Sequence, residues 1–269
     1  MELWKKECVP HYDESFLDGF VPSMDPHIVK GAKSCVILCP GGAYHNRSKV
    51  YEGNLVADWF NSIGVSAFVF DYRHSPYKHP VPVIDAKRAV RYARYLAGEY
   101  GYDKDKIGIM GFSAGGHLAG SAGTFQGDFG YEKQDAIDEE SSRPDFMILC
   151  YPVISFIEYA HRGSFEQLSE DRLPAAALKL SVDKNVDADT PPTFLWHTIG
   201  DNEVPVENSL LMASTLSRYK IPFELHTFAR GLHGVGLADG VDRAPDIPHT
   251  AMWVDNLKNW LDSMGYTNY

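Results

Sequence analysis

Short, nearly continuous runs of apolar residues divide the chain. They span residues 34–40, 65–72, 106–112, 146–152, 193–200 and 223–229, and polar residues, glycine or proline bound them. A strand that is covered on both faces gives such a run, whereas a half-exposed strand alternates apolar and polar residues. The pattern therefore predicts six strands within one buried sheet.

Longer segments with apolar residues at helical spacing separate these runs. They span residues 50–64, 81–101, 205–220 and 249–265. Gly64 and Gly101 stand at the ends of the first two, where glycine commonly terminates a helix. Alternation of strands and helices predicts an α/β fold, with a mostly parallel twisted sheet and helices on both faces.

Two segments, 124–145 and 153–192, interrupt this alternation. The first is polar and acidic, and the second mixes aromatic residues with a loose helical pattern. Neither has a core of its own, and loops of this length in a compact domain are usually functional or mobile. We therefore expect residues 1–269 to form a single domain, with both segments as insertions above the sheet that make a small cap.

Composition excludes several classes of function. The chain has 269 residues, 44% of them hydrophobic and 23% charged, so it is long enough to bury a large core. Its formal net charge is −11 and it has no basic run, which argues against nucleic acid or an anionic membrane as a partner. Charged residues interrupt the N-terminus, and no apolar run approaches the roughly 18 residues that span a bilayer. We expect a cytoplasmic protein.

The four cysteines predict neither a disulfide bond nor a zinc site. Cys35 and Cys39 lie in one predicted strand, where four steps of about 3.3 Å separate them by roughly 13 Å, too far for a disulfide bond. No Cys-x-x-Cys spacing occurs. Reduced, buried thiols are the expected state, in agreement with a reducing compartment.

The sequence Gly-Phe-Ser-Ala-Gly at residues 111–115 is a candidate nucleophile turn. A predicted strand precedes it, and the small residues after it can begin a helix. A sharp turn there would strain the backbone of Ser113 and present its hydroxyl at the carboxyl edge of the sheet. Taken alone, the pattern also fits an ordinary turn. Its position favours the nucleophile, with the Ala114 N–H at a helix start, where negative charge is favoured.

Donors for an oxyanion are expected in the sequence Pro-Gly-Gly-Ala-Tyr at residues 40–44. This segment follows the first predicted strand, and its two glycines let the backbone turn N–H groups into a pocket. The candidate donors are the N–H groups of Gly42 and Ala43, together with that of Ala114. The alternative is a simple Pro-Gly-Gly turn.

A serine nucleophile needs a base, and chain position selects one from eleven histidines. His233 directly follows the last predicted strand and is flanked by glycines, where a loop can bring an imidazole to the serine. His117 lies one turn into the helix after Ser113, where we expect it to support packing. His45, His74 and His79 lie in loops before the serine and can line a pocket, whereas His197 and His226 lie inside predicted strands.

The acid that orients the base should follow the serine and precede the histidine. Asp201 comes first after a predicted strand, so its carboxylate can point toward His233, and Glu203 is its local competitor. More distant competitors are Asp187 and Asp189. The order Ser113, Asp201, His233 is the one expected for such a catalytic triad on this type of fold.

Several segments together resemble a known superfamily. The sequences CPGGAY, DYRHSP, GFSAGGHLA, GDNEVP and GLHGVGL are similar to those of α/β-hydrolases. Within that superfamily they resemble the bacterial carbohydrate-esterase-like group, which includes acetyl-xylan and feruloyl esterase-like proteins. The resemblance runs from about residue 34 to the C-terminus, and Pro40 stands where lipases carry histidine. It implies one domain, no metal or cofactor, and hydrolysis of esters such as acetyl groups on oligosaccharides.

The expected function is therefore that of a serine carboxylic-ester hydrolase acting on short acyl esters. Ser113 would attack, His233 would accept its proton and Asp201 would orient the histidine. An amide hydrolase of the arylformamidase or peptidase type is the alternative enzyme. A hydrolase fold that binds a ligand without catalysis is the alternative outside enzymes. The expected partner is a small ester such as an acetylated sugar, and the sequence leaves a homodimer open.

Overall fold

The computed structural model describes residues 1–242 and 244–267. Its centre is a sheet whose strands in these ranges are β1 (Ser23–His27), β2 (Cys35–Cys39), β3 (Ser66–Asp71), β4 (Ile107–Phe112), β5 (Phe146–Cys150), β6 (Thr193–Thr198) and β7 (Phe223–Phe228). Their order across the sheet is β1-β3-β2-β4-β5-β6-β7. β1 pairs antiparallel with β3, and the other neighbours pair parallel. The predicted mostly parallel sheet is confirmed.

The six predicted strands are confirmed as β2 to β7, and β1 is an addition to them. β1 lies at the sheet edge and pairs with β3 alone among the strands. Met24 is its one buried residue, and Pro26 occupies a position that an edge strand tolerates. A strand of this kind has no continuous apolar run, which is why the hydrophobic pattern does not reveal it.

Helices fill the connections between strands. Those in the described ranges are α1 (Leu55–Ser62), α2 (Val81–Tyr95), α3 (Ala97–Tyr100), α4 (Ala114–Thr124), α5 (Arg162–Leu168), α6 (Pro174–Leu180), α7 (Glu207–Tyr219), α8 (Pro248–Ala251) and α9 (Trp253–Ser263). The four predicted helices are confirmed, although the first begins as a π-turn at Val50–Asn54, the second divides at Leu96 and the last divides at Met252. In the part of the chain that is described, no helix is long and apolar enough to cross a membrane.

Both faces of the sheet are covered, and neighbouring residues of β2 show how. Ile37 packs in a core that includes Leu118 of α4 and Met212 of α7. Val36 points to the opposite face, where the core includes Phe60 of α1. Side chains alternate between the faces of a strand, so a strand buried on both faces needs apolar residues throughout. The predicted arrangement of helices on both faces is therefore confirmed.

The acidic segment 124–145 lies against α2. Arg88 of α2 contacts Asp135 and Asp138 at 2.7 Å each, and Arg91 contacts Asp128 at 2.7 Å. The segment therefore packs on α2 through these ion pairs, and its predicted place in a cap stays a prediction. The buried arginines of α2 attract its carboxylates, and a hydrophobic pattern cannot show that pairing. The segment 153–192, which contains α5 and α6, is different and contributes to the site described below.

All four cysteines are free. Cys35, Cys39 and Cys150 are buried in strands, and burial raises the pKa of the Cys150 thiol well above its ordinary value. Cys8 is exposed, so the prediction of buried thiols is wrong for this residue. It precedes β1, in a segment where the apolar pattern predicts no element.

Candidate active site

Ser113 occupies the single residue between β4 and α4, in a sharp turn. Its backbone has φ 55° and ψ −121°, a left-handed φ that residues other than glycine seldom adopt. Its N–H donates to the Cys150 carbonyl at 3.0 Å, and its carbonyl accepts from the Val153 N–H at 3.0 Å. Gly115 packs so closely on the Cys39 carbonyl that a Cβ would overlap with it. The Gly-Phe-Ser-Ala-Gly sequence therefore forms the strained turn that was expected from it.

The structure brings Ser113, His233 and Asp201 into direct contact. The Ser113 Oγ lies 2.7 Å from His233 Nε2, and His233 Nδ1 lies 2.6 Å from Asp201 Oδ2. The carboxylate accepts from Nδ1–H, which leaves Nε2 to accept from the serine hydroxyl. The histidine side chain is 19% exposed, while that of the aspartate is fully buried. This arrangement can pass a proton from the serine to the histidine.

Hydrogen bonds on both oxygens hold the Asp201 carboxylate. Its Oδ1 accepts from the N–H groups of Glu203 at 3.0 Å and Val204 at 2.9 Å. His197 Nε2 lies 3.3 Å from Oδ2. Burial by itself would raise the pKa of Asp201, but hydrogen bonds from His197 and His233 hold it well below its ordinary value. The carboxylate is therefore ionised in contact with His233.

The segment at residues 40–44, called here the glycine loop, approaches Ser113 from β2. Gly42 has φ 141°, and Asn46 occupies the space that a Cβ would need. Ala43 is left-handed, with φ 53°. Among the hydrogen bonds of the described residues, none uses the N–H of Gly42, Ala43 or Ala114 as donor. These N–H groups are therefore available to a ligand beside the serine.

A cleft of about 410 Å³ opens over Ser113 and His233. Its other lining residues are mostly polar: Gly42, Ala43, His45, Asn46, Ser48, Tyr51, Glu52, His161, Glu203 and Gly234. Glu203, the predicted competitor of Asp201, thus faces the cleft. His161 comes from the segment 153–192, whereas 124–145 supplies none of these residues. The size suits a small ligand, and the lining offers many hydrogen-bonding groups to it.

Comparison with known proteins supports the expected relationship. A model of the BD-FAE family matches residues 24–216, which is more than half of the chain. The chain belongs to the BD-FAE family. Endo-1,4-beta-xylanase B of Butyrivibrio fibrisolvens is 37% identical over 88% of this BD-FAE chain and 38% of that protein. An acetylxylan esterase of Xylanibacter ruminicola is 30% identical over 85% of the chain and 45% of that protein. The chain thus spans less than half the length of these two relatives.

Solved structures of similar proteins confirm the α/β-hydrolase fold of this BD-FAE chain. The acetyl ester-xyloside bifunctional hydrolase from Caldicellulosiruptor lactoaceticus is 43% identical, with a TM-score of 0.91, and the match covers 100% of this chain and 97% of that one. The esterase Est2 from Thermogutta terrifontis is 24% identical, with a TM-score of 0.78 and coverage of 97% of both chains. The second likeness concerns the fold alone.

Two histidines outside the predicted triad, His117 and His197, contact residues of the BD-FAE site, and the sequence predicts these contacts only in part. His117, expected to support packing, places Nδ1 2.8 Å from the Tyr44 hydroxyl and Nε2 2.8 Å from the Leu180 carbonyl. His197, read as a strand residue, contacts Asp201. Its sequence signal is weak, because a histidine four residues before an aspartate is common in any fold.

Glu52, Tyr151 and His161 are among the site residues that sequence analysis misses. Glu52 occurs in a segment with a helical pattern, and nothing in that pattern distinguishes it from an exposed acidic residue. It is nevertheless buried beside the glycine loop, where its carboxylate contacts the Tyr151 hydroxyl. Among the described residues of this BD-FAE chain, no group of three His, Cys, Asp or Glu side chains is placed to hold a metal ion.

Proposed function

We propose that this BD-FAE chain is a serine carboxylic-ester hydrolase with Ser113, His233 and Asp201 as its catalytic triad. The observation that carries the proposal is the pair of contacts on His233, 2.7 Å to Ser113 Oγ and 2.6 Å to Asp201 Oδ2. A serine hydroxyl is a weak nucleophile at neutral pH, and such a histidine activates it. The strained turn at Ser113 and the unused N–H groups beside it support the same reaction.

In the first half of the reaction, Ser113 Oγ attacks the ester carbonyl carbon while its proton moves to His233 Nε2. The N–H groups of Gly42, Ala43 and Ala114 stabilise the oxyanion that forms. As this intermediate collapses, the bond to the alcohol breaks and His233 returns its proton to the leaving oxygen. The acyl group then remains on the serine as an ester.

In the second half, water attacks the acyl-enzyme with His233 again as base. The serine leaves with the proton, and the acid product departs as a carboxylate. Asp201 remains ionised throughout and stabilises the imidazolium, because hydrogen bonds hold its pKa below the ordinary range.

We further propose that the ester is a short acyl ester, and that acetyl groups on xylo-oligosaccharides are its substrate class. The small cleft suits a short acyl group, and its hydrogen-bonding side chains can contact a hydroxyl-bearing alcohol. The relatives support the same class, since their names refer to xylan and to acetyl esters. We also propose that residues 1–269 form one domain, in which the segment 153–192 serves as the cap.

A substrate profile of the wild-type protein and Ser113→Ala tests the proposed function. The substrates are p-nitrophenyl acetate, butyrate and octanoate, acetylated xylo-oligosaccharide and N-formylkynurenine. We expect the acetate esters to be preferred and Ser113→Ala to lower kcat/KM by roughly 10⁴–10⁶-fold. Ser121→Ala is the control, since Ser121 is a buried serine of α4, the helix that begins directly after Ser113.

Each other outcome has a defined meaning. Dominant turnover of N-formylkynurenine would assign the triad to amide hydrolysis. Binding of an acetylated sugar without turnover, and without labelling by a fluorophosphonate, would assign the fold to ligand binding. Activity on esters that survives in Ser113→Ala would contradict the assignment of the nucleophile.

A further inference from the structure

A buried carboxyl group lines the same cleft as Ser113 and is not used by the triad. Glu52 lies in the π-turn Val50–Asn54 and is 4% exposed. Its Oε2 accepts a hydrogen bond from the Gly41 N–H at 2.7 Å, and its Oε1 accepts one from the Tyr151 hydroxyl at 2.7 Å. Each carboxylate oxygen therefore connects to a different part of the chain.

Tyr151 also contacts the segment that contains His233. This segment, residues 229–236, is called here the histidine loop. The Tyr151 oxygen accepts a hydrogen bond from the Gly236 N–H at 3.1 Å. Its ring contacts the His233 ring edge-to-face, with centroids 5.1 Å apart. Tyr51, next to Glu52 in the π-turn, donates to the Gly234 carbonyl at 2.7 Å. The histidine loop is thus held from the same π-turn by two routes.

Gly41 lies directly between Glu52 and the nucleophile turn. A Cβ on Gly41 would lie 2.7 Å from Glu52 Oε2, 2.8 Å from the Phe112 carbonyl oxygen and 3.0 Å from Ser113 Cβ. Because Gly41 precedes Gly42 in the chain, any movement of its N–H also moves the N–H groups that follow. The glycine loop therefore has little room to shift while Glu52 holds Gly41.

A carboxyl group in this position carries an energetic cost. Burial raises the pKa of Glu52, while the hydrogen bonds from Tyr151 and Gly41 and the charge of His233 act in the opposite direction. An apolar side chain could fill the space without that cost, but it could not accept two hydrogen bonds in fixed directions. A fully paired polar network favours one arrangement over its alternatives.

We propose that Glu52 is a positioning residue that fixes the separation of the glycine loop from the histidine loop, acting through Gly41 on one side and Tyr151 on the other. The inference rests on the proposed function, because it assigns the oxyanion donors to one loop and the general base to the other. Efficient catalysis requires these two groups at a set distance from the same carbonyl, and a misplacement of about 1 Å can cost roughly 10²-fold in rate.

Two variants test this role. Tyr151→Phe removes the hydroxyl and leaves one Glu52 oxygen and the Gly236 N–H unpaired. Glu52→Gln keeps the shape and an acceptor for Gly41, but its amide N–H₂ cannot accept from Tyr151. We expect kcat for p-nitrophenyl acetate to fall by roughly 10–100-fold in each variant, with KM within about threefold of wild type. The double variant should lose far less than the product of the two single losses, since both disrupt one network.

Tyr131→Phe is the matched control. Tyr131 also donates to a buried carboxylate, Asp138 Oδ2 at 2.6 Å, and its oxygen accepts from Trp4 Nε1 at 2.9 Å. The two tyrosines thus make the same kinds of hydrogen bonds, but Tyr131 lies in the segment against α2. We expect Tyr131→Phe to lower Tm by a similar amount while kcat remains within about twofold of wild type.

The outcomes separate the two proposals. If the wild-type protein is active and both Tyr151→Phe and Glu52→Gln retain kcat within about twofold, the positioning role is overturned and the triad stands. Equal losses of kcat in Tyr151→Phe and Tyr131→Phe would also overturn it, because the effect would then be general destabilisation. A wild-type protein without any turnover or fluorophosphonate labelling would overturn the proposed function, and the positioning role with it.

Discussion

His117 is a buried histidine whose protonation state follows from its neighbours. The Leu180 carbonyl can only accept, so Nε2 carries the proton and Nδ1 accepts from the Tyr44 hydroxyl. Burial lowers the pKa of His117 to about 4, with a smaller effect from His79 in the same direction. The neutral ring thereby connects the glycine loop to the segment 153–192, and a second proton would turn Nδ1 from an acceptor into a donor toward Tyr44.

This pKa predicts a loss of stability in mild acid. The unfolded chain protonates His117 near its ordinary pKa of 6.5, whereas the folded chain does so only near 4. The stabilising effect of the neutral ring is therefore complete above pH 6.5 and is lost as the pH falls toward 4. Between pH 7 and pH 5 we expect this residue to account for about 2 kcal/mol of the decrease in unfolding free energy.

Urea unfolding of His117→Gln at pH 7 and pH 5 measures this contribution. Glutamine has an acceptor and a donor but does not titrate, so the difference in unfolding free energy between the two pH values should be smaller than in wild type. His11→Gln, at an exposed position, should leave that difference unchanged. An identical pH dependence in His117→Gln and wild type would show that His117 does not control this acid sensitivity.

At the scale of elements, α5 places one histidine of the segment 153–192 at the cleft. His161 is the N-cap of α5, where its Nδ1 accepts from the Ser164 N–H at 3.2 Å and lies 2.8 Å from the Ser164 hydroxyl. With Nδ1 occupied, Nε2 is the nitrogen left to contact a ligand. The imidazole lines the cleft together with Gly42 and Ala43 of the glycine loop. We propose that it contacts the alcohol part of the ester.

His161→Asn separates that contact from the capping role. Asparagine is a good N-cap, so α5 should keep its start while the cleft loses the imidazole. We expect kcat/KM for acetylated xylo-oligosaccharide to fall by roughly tenfold, the worth of one lost hydrogen bond, and that for p-nitrophenyl acetate to change by less than about twofold. An equal loss of kcat/KM on both substrates would instead indicate that His161 acts on the acetyl ester group, which the two substrates share.

The elements differ in how far sequence could predict them. β2 to β7 were predictable because both faces are buried, which requires apolar residues throughout. β1 was not, since an edge strand with one buried residue gives no such pattern. The position of 124–145 depended on pairs such as Arg88 with Asp135, which join residues far apart in the chain. Helical periodicity shows an arginine on α2 but cannot show that it is buried.

At the scale of the whole molecule, the order of residues along the chain predicted the side chains that follow strands of the sheet. Ser113, Asp201 and His233 each follow a strand, so their convergence at one sheet edge was predictable. Glu52 and His197 could not be found in this way, because neither directly follows a strand, and chain order does not show their contacts with Gly41 and Asp201. Residues that orient other side chains, such as Glu52 and His197, were thus harder to predict than Ser113, Asp201 and His233.

Arg73 joins three distant parts of the molecule. It follows β3, contacts Asp85 of α2 through its guanidinium, and donates to the Pro10 carbonyl at 2.6 Å. Neither side chain of the Arg73–Asp85 pair is exposed, and the Arg73 guanidinium also lies 5.9 Å from the Trp4 ring centroid. The arginine of the DYRHSP sequence therefore fastens the N-terminal segment and α2 to the sheet.

Removal of one partner from this pair should destabilise the whole fold. In Arg73→Met the buried Asp85 loses its counter-charge, and we expect the free energy of unfolding to fall by about 3–5 kcal/mol. Arg73→Met with Asp85→Leu removes both charges and should recover part of that loss, because no unpaired buried charge remains. Urea unfolding measures both values. Since neither residue lines the cleft, kcat per folded molecule should stay near that of wild type. A double variant less stable than Arg73→Met would contradict the expectation, because it would show that the unpaired charge of Asp85 is not the main cause of the loss.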